Sequence, residues 1–167
     1  MSASHPTGTT ADGPRGREVR LTRRWQVDPG TVWELVTVSE LLEQWVGRWE
    51  GDPRSGRVEF FMTAEGDDVA GEECTVVSCD PPRSVVLETA VGDDRWHLSL
   101  TVDRDAASGT TTLTLAQVLA DGAMADIGPG WEYYLDRLAA ALEGRDVRAV
   151  SFEDYHPSMS AYYAALS

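Results

Sequence analysis

Pro129-Gly130-Trp131-Glu132-Tyr133-Tyr134-Leu135-Asp136-Arg137-Leu138-Ala139-Ala140-Ala141-Leu142 reads as a single long amphipathic helix. Trp131, Tyr134, Leu135, Leu138 and Leu142 recur at helical spacing, so one face has to bury against a broad apolar surface. Working back along the chain, the only such surface is a succession of strand-length segments at 57–63, 69–79, 84–89, 95–102 and 110–119. Turn residues separate them: Glu65-Gly66-Asp67-Asp68, Asp80-Pro81-Pro82, Gly92-Asp93-Asp94 and the stretch 103–109. Trp96, Leu98, Leu100 and Val102 alternate with Arg95, His97, Ser99 and Thr101, which gives one buried and one wet face. Leu113, Leu115 and Leu119 share a face with Gln117. A helix lying across such an antiparallel meander encloses a space between the two.

Upstream, residues 18–27 alternate Val19, Leu21, Trp25 and Val27 with polar neighbours, a half-buried strand in which Arg23 falls on the apolar face. Asp28-Pro29 then supplies an N-cap and a first helical residue, with Val32, Trp33, Leu35 and Val36 as the buried side. Ser39 is placed to cap a second short helix whose Leu41, Leu42, Trp45 and Val46 face inward. Residues 1–17, rich in Ser, Thr, Gly and Pro, are expected to be a disordered leader. The domain is expected to span 18–144. Residues 145–167 form an extension in which Tyr155, Met159, Tyr162, Tyr163 and Leu166 fall at helical intervals behind Pro157. That short amphipathic helix has two candidate targets, its own domain or a second subunit.

Composition limits the function. The chain has 167 residues, 42% hydrophobic and 25% charged, enough for one domain with a substantial core. Its formal charge of −14 repels nucleic-acid phosphates and anionic headgroups, which argues against both as partners. No run approaches the roughly eighteen apolar residues of a membrane span, and the start lacks a signal-peptide core. A cytoplasmic protein is expected. Cys74 and Cys79 stand five apart in one strand, so their side chains are expected on opposite faces, which makes a disulfide awkward.

The element order of strand, two short helices, five strands and a closing helix is that of the helix-grip fold, α+β with a curved six-stranded antiparallel sheet. Leu21-Thr22-Arg23-Arg24-Trp25, Asp28-Pro29-Gly30-Thr31-Val32-Trp33-Glu34-Leu35-Val36-Thr37 and Leu41-Leu42 with Trp45 resemble the opening of the START-like or SRPBCC superfamily. The branch most resembled is that of activators of the heat-shock-protein 90 ATPase. Val76-Val77-Ser78-Cys79-Asp80-Pro81-Pro82-Arg83 resembles its strand-turn-strand corner, Thr112-Leu113-Thr114-Leu115 its last strand, and Gly130-Trp131 with Tyr134-Leu135 the start of its gripping helix. The resemblance implies a fold whose members bind sterols, lipids, hormones and polyketides between sheet and helix, a few of them catalysing cyclisation or hydrolysis there.

Few residues suggest chemistry. His5, His97 and His156 are scattered between leader, wet face and tail, so neither a metal set nor a catalytic triad assembles, and no cofactor or catalytic residue is assigned. The expected function is therefore to hold a hydrophobic or amphipathic small molecule. Trp33, Trp45, Phe60, Trp96 and Leu115 would form its walls, with Trp131, Tyr134 and Leu138 from the helix. Arg23 and Gln117, polar side chains on apolar faces, would be anchors, although Arg23 has the alternative of pairing with Glu72 or Glu88. Two further readings stand beside this one. One is an aromatase or cyclase in which Arg23 or Tyr134 polarises a carbonyl, and the other is a co-chaperone or regulatory module that meets a partner, or a second copy, through 151–167.

Overall fold

A computed structural model describes residues 5–66, 68–91, 93–119 and 123–166. Among these, eight strands make one antiparallel sheet: β1 (Thr9–Gly13), β2 (Gly16–Trp25), β3 (Arg48–Glu50), β4 (Arg57–Phe61), β5 (Glu72–Asp80), β6 (Ser84–Val91), β7 (Asp94–Arg104) and β8 (Thr111–Val118). Their spatial order is β1-β2-β8-β7-β6-β5-β4-β3. The six strands expected from the pattern are all present, and the two extra ones, β1 and β3, correct the count. Thr9-Thr10-Ala11-Asp12-Gly13 has no apolar alternation. It pairs with β2 through its backbone, folding back at Gly13 and Gly16, the latter with a φ of 126° that favours glycine. The stretch expected to be a disordered leader therefore contributes an edge strand, because ladder hydrogen bonds leave no trace in composition. Only three residues long, β3 is too short for a period to show.

Register fixes the inner face, since residues directly opposite in an antiparallel ladder point the same way. Gln117 stands opposite Val19 and Leu98, Leu98 opposite Leu87, and Leu87 opposite Val76. One row of inward side chains thus crosses five strands. Along β5 the register shifts between Val76 and Ser78, and the shift turns Cys79 to stand opposite Val85. This corrects the expectation of opposite faces, because the extra residue of a bulge restores parity. The two thiols are nonetheless free, Cys74 buried and Cys79 exposed at the strand end.

Helices α1 (Pro29–Thr37) and α2 (Ser39–Leu42) connect β2 to β3. As expected, Asp28 caps α1, its Oδ1 accepting from the Gly30 N–H at 2.7 Å, and Val32, Trp33, Leu35 and Val36 are buried. Ser39 does not cap α2. Its hydroxyl accepts from the Trp49 N–H at 2.9 Å and donates to the Trp49 carbonyl at 2.8 Å, tying the helix to β3.

The gripping helix α3 runs Met124–Leu142, five residues earlier than Pro129 suggests. Pro129 lies inside it and forgoes a single i→i−4 bond, a loss the packing of this face overrides. Preceding it, Gly128 admits a neighbour: a Cβ there would overlap the ring of Tyr163. Tyr163 belongs to α4 (Ser160–Ala164), the amphipathic helix expected in the tail, and it settles against α3 of its own chain with Tyr155, Met159 and Tyr163 buried.

Candidate functional site

The inner face of β8 carries Leu113, Leu115 and Gln117, all but removed from solvent, and α3 packs beside it over β2. Two turns into α3, Trp131 reaches down so that its indole N–H donates to Gln117 Oε1 at 2.6 Å. An indole nitrogen is only a donor, so this bond fixes which end of the amide is oxygen. The other end, Nε2, has no acceptor within hydrogen-bond distance among the described residues, although Gln117 is 1% exposed. A buried amide donor left without a partner costs about 1–3 kcal/mol.

Trp131 meets Tyr134 edge to face, with ring centroids 6.3 Å apart, and the Tyr134 hydroxyl donates to Glu65 Oε1 at 3.2 Å. Gln117, Trp131, Tyr134 and Glu65 are therefore one continuous wall that starts on the sheet, climbs α3 and descends to the turn after β4. Burial and the adjacent Glu65 push the Tyr134 hydroxyl well above its ordinary pKa. Glu72, opposite Phe60 on β5, is raised by burial first and by Glu65 second. Phe60 and Trp96 are half-buried against the same core.

The remaining wall candidates are core residues. Trp45, Leu115 and Leu138 are fully packed, and the Trp45 indole N–H donates to the Leu35 carbonyl at 2.8 Å. Arg137 Nε donates to the Trp45 carbonyl at 2.8 Å, which closes the second half of α3 against the connection carrying Trp33 and Trp45. The polar groups of this wall thus gather around Trp131, and the apolar packing is tightest around Trp45.

Arg23 is not beside Gln117. It stands opposite Leu113 whereas Val19 stands opposite Gln117, four residues along β2 and so about 13 Å away. Nor do Glu72 or Glu88 hold it. Its guanidinium donates to Glu132 Oε2 at 2.9 Å and to Asp136 Oδ1 at 3.1 Å, both on α3. Glu132, which sequence reasoning passed over, is 1% exposed and gathers the whole cluster. It accepts from the Thr7 N–H at 2.6 Å, the Thr7 hydroxyl at 2.8 Å and the Tyr163 hydroxyl. Tyr163 also accepts from the Gly8 N–H at 3.0 Å, Tyr162 donates to the Gly8 carbonyl at 2.6 Å, and Tyr155 donates to Asp136 Oδ2 at 2.7 Å. The cluster joins the N-terminal segment, β2, α3 and the tail. Glu132 lies on the same helical stripe as Leu135, a signal that Arg23 on the apolar side of β2 could have completed.

Among the described residues no group of three or more His, Cys, Asp and Glu is placed to hold a metal ion, and no helix is long and apolar enough to cross a membrane. Chemically, the Trp131 end offers an aromatic surface, a fixed amide donor and two carboxylates at its far side.

Comparison with known proteins fits this architecture. The family model described as activator of Hsp90 ATPase homolog 1-like protein matches residues 26–143. CalU16 from Micromonospora echinospora superposes with a TM-score of 0.71 at 22% identity over 99% of this chain and 98% of its own. DynU16, from the dynemicin biosynthetic locus, gives 0.63 at 22% over 78% of this chain and 49% of its own. The protein encoded by gene BPP1335 of Bordetella parapertussis gives 0.67 at 18% over 99% and 93%. No curated protein matches the chain by sequence. At these identities the solved structures share the fold.

Proposed function

The chain belongs to the family of activator of Hsp90 ATPase homolog 1-like proteins, a branch of the START-like superfamily, and from that premise we propose that it binds a hydrophobic or amphipathic small molecule between the sheet and α3. The molecule lies at the Trp131 end, against Trp131, Tyr134, Phe60 and Trp96, with Gln117 as polar anchor. The observation that carries this reading is the Gln117 Nε2 group, buried and without an acceptor among the described residues. Native proteins satisfy such groups, with water or ligand where protein atoms do not.

Two alternatives draw no such support. A cyclase would need an arginine and a tyrosine facing each other over the ligand, whereas Arg23 is spent on Glu132 and Asp136 and the Tyr134 hydroxyl on Glu65. A partner module working through residues 151–167 would have only Phe152 and Tyr162 as large exposed apolar side chains of that tail, since Tyr155, Met159 and Tyr163 are buried.

Native mass spectrometry of protein purified from its own host, joined to thermal-shift measurements with lipids and polycyclic aromatics, tests the proposal. We expect a retained mass or a raised Tm. A ligand at a hundred times its Kd adds about 2.7 kcal/mol, a rise of about 5–10 °C in a domain this size. An empty protein that no compound stabilises would refute the binding role.

A further inference from the structure

We infer that the ligand carries a neutral carbonyl oxygen, as in a ketone, quinone, ester or amide, and that Gln117 Nε2 is the group that holds it. The inference rests on the binding role proposed above and narrows its chemistry. Trp131 takes one lone pair of the amide oxygen and so fixes the orientation of the amide, while Nε2 stays unmet, and only an acceptor can complete it.

The surroundings select among acceptors. On the sheet Gln117 is flanked by Val19 and Leu98, both buried apolar residues. A hydroxyl would satisfy Nε2 but bring a hydrogen of its own, which would have to share Gln117 Oε1 with Trp131 or stay unpaired between Val19 and Leu98. A carboxylate or phosphate would bring a charge. On this face of β2 the cations are Arg17, two residues from Val19 but largely exposed and turned to Thr10 and Asp12, and Arg23, four residues from Val19 and already shared between two carboxylates. The chain's formal charge of −14 adds to the disadvantage of an anion. A carbonyl accepts, donates nothing and carries no charge. Its apolar body would lie against the indole of Trp131 and the ring of Tyr134, whose edge-to-face arrangement presents a corner suited to a planar skeleton.

The test uses two compounds of one skeleton, 9-fluorenone with its carbonyl and fluorene with a methylene in its place, titrated by tryptophan fluorescence into the full chain and into Gln117→Leu. The wild type should bind fluorenone at least about tenfold more tightly than fluorene, and Gln117→Leu should bring the ratio close to one. The ratio within each protein cancels any general damage to the cavity. Should Gln117→Leu fail to fold, the infrared carbonyl stretch of fluorenone bound to the wild type decides, since a hydrogen bond lowers it relative to hexane. Equal affinities in the wild type would mean that water, not ligand, serves Nε2; the carbonyl assignment would fall and the binding role would stand. A preference that survives in Gln117→Leu, or an unshifted stretch, would also overturn it. If neither compound binds, the carbonyl assignment falls, and the binding role is decided by the native mass spectrometry and the thermal-shift panel.

Discussion

Glu132 is a carboxylate with 1% exposure that accepts from an arginine, a tyrosine, a threonine hydroxyl and a backbone amide. Such a group is tolerated only because every acceptor position is filled, and removing its charge strands Arg23, itself 14% exposed at the side chain, on Asp136 alone. Glu132→Gln should lower the unfolding free energy by about 3 kcal/mol, measured by urea titration. A double-mutant cycle with Arg23→Met should return a coupling above about 1 kcal/mol; additive losses would mean the pair contributes nothing of its own. Half of this was legible in the sequence. Alternation put Arg23 on the apolar face of its strand, but neighbouring strands were the only partners that reasoning could offer, and the true partners come from the helix overhead. Thr7 lies 125 residues from Glu132, a separation no local pattern bridges.

α3 contains two glycines that ought to behave oppositely. Gly130 has open space where a Cβ would go, whereas a Cβ on Gly128 would overlap the Tyr163 ring. Gly130→Ala should stabilise by about 0.5–1 kcal/mol, the ordinary helical gain. Gly128→Ala should instead destabilise by about 1–3 kcal/mol and loosen the tail, seen as faster hydrogen exchange across 155–166 with the exchange of β7 and β8 unchanged. Equal gains at both positions would mean that α4 does not rest on α3. The helical period revealed the tail helix, yet its target stayed open, because Tyr155, Met159, Tyr162 and Tyr163 describe an apolar stripe and not what covers it. The structure buries Tyr155, Met159 and Tyr163, the last of them against α3 through a gap only a glycine leaves, and turns Tyr162 to the Gly8 carbonyl instead.

Taken whole, the molecule should be sensitive to alkali. Tyr163 is pushed up by burial and then by its bond to Glu132, Tyr134 by burial and then by Glu65, and the Cys74 thiol by burial from 9.0 to about 11. Each group holds its proton more tightly folded than unfolded. Each therefore contributes stability that is complete below its ordinary pKa and is lost as pH rises past it, from about 9 for Cys74 and about 10 for the tyrosines. Urea midpoints should be level near pH 8 and fall above about pH 9, and Tyr163→Phe should show a shallower fall; an identical slope in the variant would remove Tyr163 from the account. On this scale the sequence by itself determined the α+β class, the central strands, the capped α1, the gripping helix and the inward placement of Gln117. Each of these follows from periods of 2 or 3.6 and from turn chemistry acting over a few residues. Only the tertiary structure decided that β1 pairs at the edge, that Ser39 clamps β3, that Arg23 answers to Glu132 and that Trp131 takes one end of the Gln117 amide and leaves the other bare. Those are matters of which groups meet across the fold, and a meeting between residues far apart in the chain is fixed by packing, to which local periodicity is blind.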